Sequence, residues 1–319
     1  LREFLMSDGP LHLSSGDPVV DRRLEWARAL IEEGNAADAA HLLLEVTARA
    51  PDFLPLWFLL AEAREKAGDP DGAAGAYVRA LRADPDDPLG AGVRLARLGR
   101  DRVEAKMSEA YVRTLFDQYA GRFDEALARL DYRGPELIHD ALGAACDTLG
   151  RPFAFDHGLD LGCGTGLVGA ALAGKVGRLD GVDLSPNMIE QTRHRGGYDR
   201  LEVMDMLAFV ERQTTQTADL VFAGDAFCYL DDLAPILKES ARVVEAGGLL
   251  AFTVETHNGE GVILRDTLRY AHAEAYVRER LAEAGFSLVS LEHASTRKEG
   301  TVPVPGLVVV AERQSTSST

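Results

Sequence analysis

Along the first hundred residues, alanine and leucine recur at steps of three and four, the spacing that lines one face of a helix. The pattern predicts helices at about 19–33, 36–49, 53–67 and 70–83, with a closing helix at 87–98. Shifted by 34 residues the segment falls on itself. Gly34 meets Gly68, Ala39 and Ala40 meet Ala73 and Ala74, and Pro51 meets Pro85. Glycine accepts the left-handed backbone of a helix stop, paired alanines let the next helix pack closely, and proline ends the second helix of each unit. The charged stretch Gly99 to Lys106 carries none of these marks and reads as a linker.

Two amphipathic helices are predicted next, near 107–119 and 121–130, and Pro135 opens a third. From Phe155 onward strand, loop and helix alternate. Strands are predicted at 155–160, 178–183, 201–204, 219–223, 249–254, 286–292 and 306–311, with helices between them at 186–195, 232–245 and 272–284. Such alternation predicts an α/β fold, a parallel sheet with helices on both faces. No helix separates the last two strands. Their connection, 294–305, reads as a loop, so the last strand should enter antiparallel.

Composition narrows the function classes. The 319 residues are 46% hydrophobic and 27% charged, which suits a soluble chain of about two domains at roughly 150 residues each. Lys+Arg 34 against Asp+Glu 51 gives a net charge of −17, a field that repels phosphate backbones and anionic lipids. Neither nucleic acid nor membrane is expected as a partner. The longest charge-free stretch, Leu161 to Gly174, is too short to span a bilayer. No signal-peptide pattern is present. Cys146, Cys163 and Cys228 are odd in number and lack metal spacing, so a reducing, cytoplasmic setting is expected, with no disulfide framework and no metal site. The expected division is 1–100 helical repeats, 106–313 α/β domain and 314–319 a disordered tail. The chain begins at Leu1, and Met6 is a candidate natural start.

The chemistry concentrates in Asp160-Leu-Gly-Cys-Gly-Thr-Gly166, directly after a predicted strand. Glycines at every second position bare the backbone to a ligand. Gly164, Gly166 and Gly169 also fit a dinucleotide fingerprint, which leaves a nicotinamide-dependent oxidoreductase open. Asp183, at the end of the second strand, can accept both ribose hydroxyls. Asp205 can accept from an adenine amino group, with Met206 covering the ring, or can simply cap a helix. Cys163 reads as a small loop filler.

The repeat marks resemble the tetratricopeptide repeat. Asp160-x-Gly-x-Gly-x-Gly, then Gly181-Val-Asp-Leu-Ser185, then Asp205-Met-Leu resembles the class I S-adenosylmethionine-dependent methyltransferases, over about 106–313. The segment 111–124 followed by 130–137 resembles a bacterial group of predicted methyltransferases that carry tetratricopeptide repeats. The resemblance implies a Rossmann-like, mostly parallel sheet with an antiparallel last strand, and S-adenosylmethionine as cofactor. It places Asp160, Gly162, Gly164 and Asp183 on that cofactor; Cys163, Leu184, Asp205, Met206 and Tyr119 are further candidate contacts, and Asp225 faces either the cofactor or the acceptor. It also implies an N-terminal lid carrying Tyr119 and Phe123, whose alternative is ordinary core packing.

The acceptor pocket should lie beyond the carboxyl ends of strands four and five. Tyr229, His257 and His272 are the acid–base candidates there, with His272 expected to begin a helix. Arg269 and Tyr270 are candidate acceptor contacts, Arg269 reading equally as half of a surface ion pair. The expected activity is methyl transfer to a small molecule. The alternatives are a protein acceptor, or a scaffold role, through a groove in the repeats.

Overall fold

The computed structural model describes residues 14–99 and 107–314. Met6, all of the predicted linker beyond Gly99, and the predicted tail beyond Gln314 lie outside the described residues. The chain divides between Thr114 and Leu115 into two compact units.

The first unit contains helices α1 (Pro18–Glu32), α2 (Ala36–Leu44), α3 (Leu54–Lys66), α4 (Pro70–Ala83) and α5 (Ala91–Arg97). Asp17 and Asp69 cap α1 and α4 by accepting from the amides of Val19 and Gly72, each followed by a first-turn proline. Gly34 and Gly68 turn left-handed at φ 86° and 81°, as the repeat pattern predicts. The small residues Ala39, Ala73 and Ala76 are buried in one core with Leu43, Leu60 and Tyr77. Two predicted ends differ. Helix α2 stops at Leu44 rather than 49, and turns carry the chain to Pro51. Helix α5 starts at Ala91 rather than 87. The backbone at Asp87 turns left-handed, and its carboxylate accepts from the amides of Ala91 and Gly92 at 2.6 and 2.8 Å.

The division falls within α6 (Glu109–Tyr119). A 3₁₀ turn at Ala120–Arg122 separates it from α7 (Phe123–Arg129), so the helix does not run on past Gly121. Then follow α8 (Gly134–Thr148), β1 (Phe155–Leu161), α9 (Leu167–Ala171), β2 (Val176–Asp183), α10 (Pro186–Arg195), β3 (Arg200–Val203), α11 (Met206–Glu211) and β4 (Ala218–Ala223). The rest is α12 (Ala234–Val243), β5 (Val244–Glu255), β6 (Val262–Leu264), β7 (Tyr270–His272), α13 (Glu274–Ala284), β8 (Phe286–His293), β9 (Lys298–Glu299), β10 (Val302–Pro303) and β11 (Gly306–Arg313).

The main sheet runs β3-β2-β1-β4-β5-β11-β8, with β7 paired to β5 and β6 to β7. Strands β1 to β5 pair parallel, and β11 is antiparallel to both β5 and β8, as expected. The strands alternate between two cores. Leu159, Leu161, Val221, Phe252 and Val309 pack with residues of α11, α12 and α13. Phe155, Leu220, Phe222 and Ala251 pack with residues of α8 and α9. The short pairs β6–β7 and β9–β10 do not stand out in the sequence, because two or three residues show no alternation. The strand order reverses between β1 and β4, which opens a crevice beyond their carboxyl ends.

Phe222 is fully buried in the sheet. Phe222→Ala should cost about 3–5 kcal/mol of stability, read as a lowered urea midpoint with an unchanged slope.

Candidate cofactor and acceptor site

Strand β1 ends on Asp160 and Leu161, and the chain turns at once through glycines with φ 74° at Gly162, 54° at Gly164 and 83° at Gly166. A Cβ at Gly162 would come within 2.7 Å of the Ala226 side chain, so only glycine fits. A Cβ at Gly164 would meet nothing nearer than Phe123 at 3.9 Å. Backbone is therefore open to a ligand at Gly164, under an aromatic ring. Cys163 is buried, and burial raises its thiol pKa well above the usual range, in keeping with a loop filler.

Two carboxylates face this loop. Asp160 is buried and accepts from the Tyr198 hydroxyl at 2.5 Å. Burial raises its pKa to about 7, the Tyr198 bond opposes the rise, and the nearby Asp183 adds to it. Asp183 accepts from the amides of Gly164 and Ser185, both at 2.9 Å. Burial raises its pKa to about 6 against those two bonds. No cation acts on either carboxylate among the described residues. Leu184 is half-buried beside Asp183. Asp205 caps α11 by accepting from Ala208 at 2.9 Å, so its helix-cap role is real. Met206 follows it and reaches towards Gly162.

The segment predicted as a lid covers this end of the sheet. Asp117 in α6 accepts from the Ser185 hydroxyl at 2.5 Å and the Asn187 amide at 3.3 Å. Asp124 in α7 accepts from the Thr165 hydroxyl at 2.6 Å and pairs with Arg195. Phe116 meets Phe123 edge-on at 5.8 Å and Tyr229 at 5.3 Å. Tyr119 is buried.

Beyond β4 and β5 the charges are balanced internally. Asp225 is held at φ 60°, and its carboxylate accepts from Arg269 at 2.7 Å and Thr296 at 3.2 Å, with Arg297 at 3.6 Å. Burial pushes its pKa up, but Arg269 and Arg297 outweigh that and hold it below the usual carboxylate range. Glu255, at the end of β5, pairs with Arg269 at 3.0 Å and Arg297 at 2.8 Å. Arg269 also donates to the Cys228 sulfur and lies 5.0 Å over the Tyr229 ring. Arg269 is thus a buried ion pair, not a surface one.

The acid–base candidates are spread out. Tyr229 is half-buried, and burial pushes its phenol up, out of the range of a base at neutral pH. His257 accepts from the Gly259 amide through Nδ1, and its Nε2 faces the Gly261 carbonyl at 3.3 Å. His272 ends β7 rather than opening a helix, because α13 begins only at Glu274. It is fully buried, and its Nε2 donates to the Leu230 carbonyl at 2.9 Å. Burial lowers its pKa to about 4, so the ring is neutral. Tyr270 is buried on the same strand.

Sequence reasoning did not single out Tyr198, Glu255, Thr296 or Arg297. Glu255 opens the stretch after strand five and was legible as a strand-end acid. Arg297 lies in what reads as a polar loop, and nothing in the pattern marks it. Among the described residues, no helix is long and apolar enough to cross a membrane, and no His, Cys, Asp or Glu cluster could hold a metal.

Residues 159–252 match the methyltransferase-domain family model, and 24–88 match the tetratricopeptide-repeat model. Human methyltransferase-like protein 27 is 33% identical over 172 residues, covering 53% of this chain and 65% of its own length. Aklanonic acid methyltransferase DauC of Streptomyces strain C5 is 29% identical over 142 residues, covering 43% and 64%. The chain thus spans less than two thirds of either relative. Magnesium protoporphyrin IX methyltransferase from Synechocystis shares the fold at TM-score 0.50 and 18% identity, over 65% of this chain and 99% of that one. The chain therefore carries a region similar to tetratricopeptide repeats followed by one similar to a methyltransferase domain.

Two pH effects follow with opposite sign. A carboxyl whose folded pKa is raised contributes stability that is lost as pH rises through that value. Asp160→Asn keeps an acceptor for Tyr198, so at pH 8 it should raise the melting temperature by about 2–4 °C, the shift that about 1 kcal/mol gives in a domain of this size. A histidine whose folded pKa is lowered contributes stability that is complete above about pH 6.5 and is lost as pH falls towards about 4. His272→Phe should flatten the fall in stability over that window, measured by urea unfolding at a series of pH values.

Proposed function

We propose that the chain transfers a methyl group from S-adenosylmethionine to a small-molecule oxygen or nitrogen acceptor. One observation carries the reading. Asp160 and Asp183 stand without cationic partners among the described residues, beside an open glycine backbone, at the crevice where the strand order reverses. The donor set fits the cofactor, which has cationic and hydroxyl groups and no phosphate to require a binding cation. When bound, the cofactor supplies a methyl group already activated for in-line displacement.

In this reading Gly162 and Gly164 let it lie against bare backbone. Asp183 retains lone pairs for the ribose hydroxyls, Asp160 takes an ammonium, and Asp205 lies at the adenine end with Met206. Phe116, Phe123 and Tyr229 wall the methyl end against water. Neither His257 nor His272 has a ring nitrogen poised as a base, since one is held by its own loop and the other is buried and weakly basic. Alignment, rather than base catalysis, then carries most of the rate, which suits an acceptor that is already anionic or loses its proton late. The name of the Streptomyces relative supports a small-molecule acceptor.

The repeat match favours a second reading, a protein acceptor recruited by residues 24–88. Deleting residues 1–100 separates the two. Turnover of a metabolite should survive the deletion, whereas methylation of a recruited protein should vanish. For the cofactor itself, Asp183→Ala should weaken S-adenosylmethionine binding by about 2–3 kcal/mol, the worth of bonds to a charged acceptor, in calorimetry on the full chain. Unchanged affinity would remove Asp183 from the site.

A further inference from the structure

The glycine loop is backed by a residue that neither the motif nor the family match points to. Tyr198 sits in the turn between α10 and β3, just after Gly196 and Gly197, which both have positive φ. Its ring occupies a hollow that three glycines leave open. A Cβ at Gly166 would come to 3.3 Å from the ring, one at Gly181 to 2.8 Å, and one at Gly169 would collide with the phenol oxygen. Gly166 and Gly169 are two of the three glycines that gave the loop its dinucleotide fingerprint. Here they make room for an aromatic side chain.

The phenol ends 2.5 Å from Asp160 Oδ2. We propose that Tyr198 is a positioning residue for cofactor binding, whose hydroxyl orients the Asp160 carboxylate and keeps it ionised for the cofactor's ammonium group. The inference rests on the cofactor reading above.

The surroundings explain why a donor is needed there. From β2, Asp183 faces Asp160 as a like charge. From α6, Asp117 acts on Asp183 in the same sense. The Cys163 thiol in the loop and the Tyr132 phenol before α8 face it as neutral groups. Arg195 and Arg269, the cations at these strand ends, are engaged with Asp124 and with Asp225 and Glu255. Every charged neighbour therefore favours protonation, and the Tyr198 hydroxyl is the group that favours the ionised form. A protonated Asp160 cannot pair with an ammonium. Tyr198 thus sets the pH above which the amino-acid end of the cofactor is held.

The test is calorimetry on the full-length protein with two probes. S-adenosylhomocysteine carries the ammonium, and 5′-methylthioadenosine lacks the amino-acid part. Tyr198→Phe keeps the ring in its hollow and removes the donor. It should weaken S-adenosylhomocysteine about tenfold at pH 7, with the gap closing to about twofold or less at pH 8.5, and leave methylthioadenosine unchanged at both. Loss of both probes by the same factor at both pH values would reduce Tyr198 to packing and overturn the inference. Wild-type protein that binds neither probe would remove the cofactor reading and this inference with it. A second comparison guards against a damaged fold. In an Asp160→Asn background, Tyr198→Phe should cause no further loss of S-adenosylhomocysteine affinity, and additive losses would overturn the coupling.

Discussion

Two carboxylates lie close together away from bulk water at the ends of β1 and β2, and the surrounding elements are arranged around that constraint. A buried carboxylate without a cation must be hydrogen-bonded or protonated. Asp183 meets the requirement with two backbone amides, from Gly164 and Ser185. For the Gly164 amide to reach it, the loop after β1 must turn through left-handed backbone, which is what the glycines permit. Asp160 meets it with a phenol, and that phenol needs the hollow at Gly166, Gly169 and Gly181. That loop is held in turn by Asp124, which accepts from Thr165, and the turn after β2 by Asp117, which accepts from Ser185.

Next to this end of the sheet the chain treats buried charge differently. Beyond β4 and β5, Asp225 and Glu255 are matched by Arg269 and Arg297 within the protein itself. Such a set is costly to break, because removing one member strands its partner out of water. Its members already have their counter-ions, whereas Asp160 and Asp183 lack theirs. The contrast supports the proposed cofactor site more strongly than either group of residues alone. It also accounts for the left-handed backbone at Asp225, a residue with a Cβ, since the two arginines and Thr296 hold its side chain in place.

The sheet was largely legible in the sequence. Strands β1, β2, β4, β5, β8 and β11 fall on runs long enough to show alternation, and the missing helix before the last strand foretold its antiparallel entry. The glycine loop and the two strand-end aspartates were legible because they are local in sequence. What stayed hidden depends on distant pairings. Arg297 reaches Glu255 across 42 positions, and Tyr198 reaches Asp160 across 38. No periodicity encodes such a meeting. His272 read as an acid–base candidate at a helix start because β7 is only three residues long, so nothing marked it as part of a strand buried against β5.

This difference in legibility bears on the acceptor. In the proposed site, cofactor recognition would use backbone and strand ends, which a motif records. The residues beyond β4 and β5 pair two carboxylates with two guanidiniums, and the Tyr229 ring lies beside them. Tyr229 lies over Arg269 on one side and against Phe116 on the other. A guanidinium shared among two carboxylates, a thiol and a ring has little left to offer an anionic ligand. In the proposed reading, recognition at that end would rest on shape and stacking more than on charge. An acceptor with a flat or apolar body suits those walls better than a small carboxylate held by Arg269. Arg269 would then act on the acceptor indirectly, by fixing the ring that it would touch.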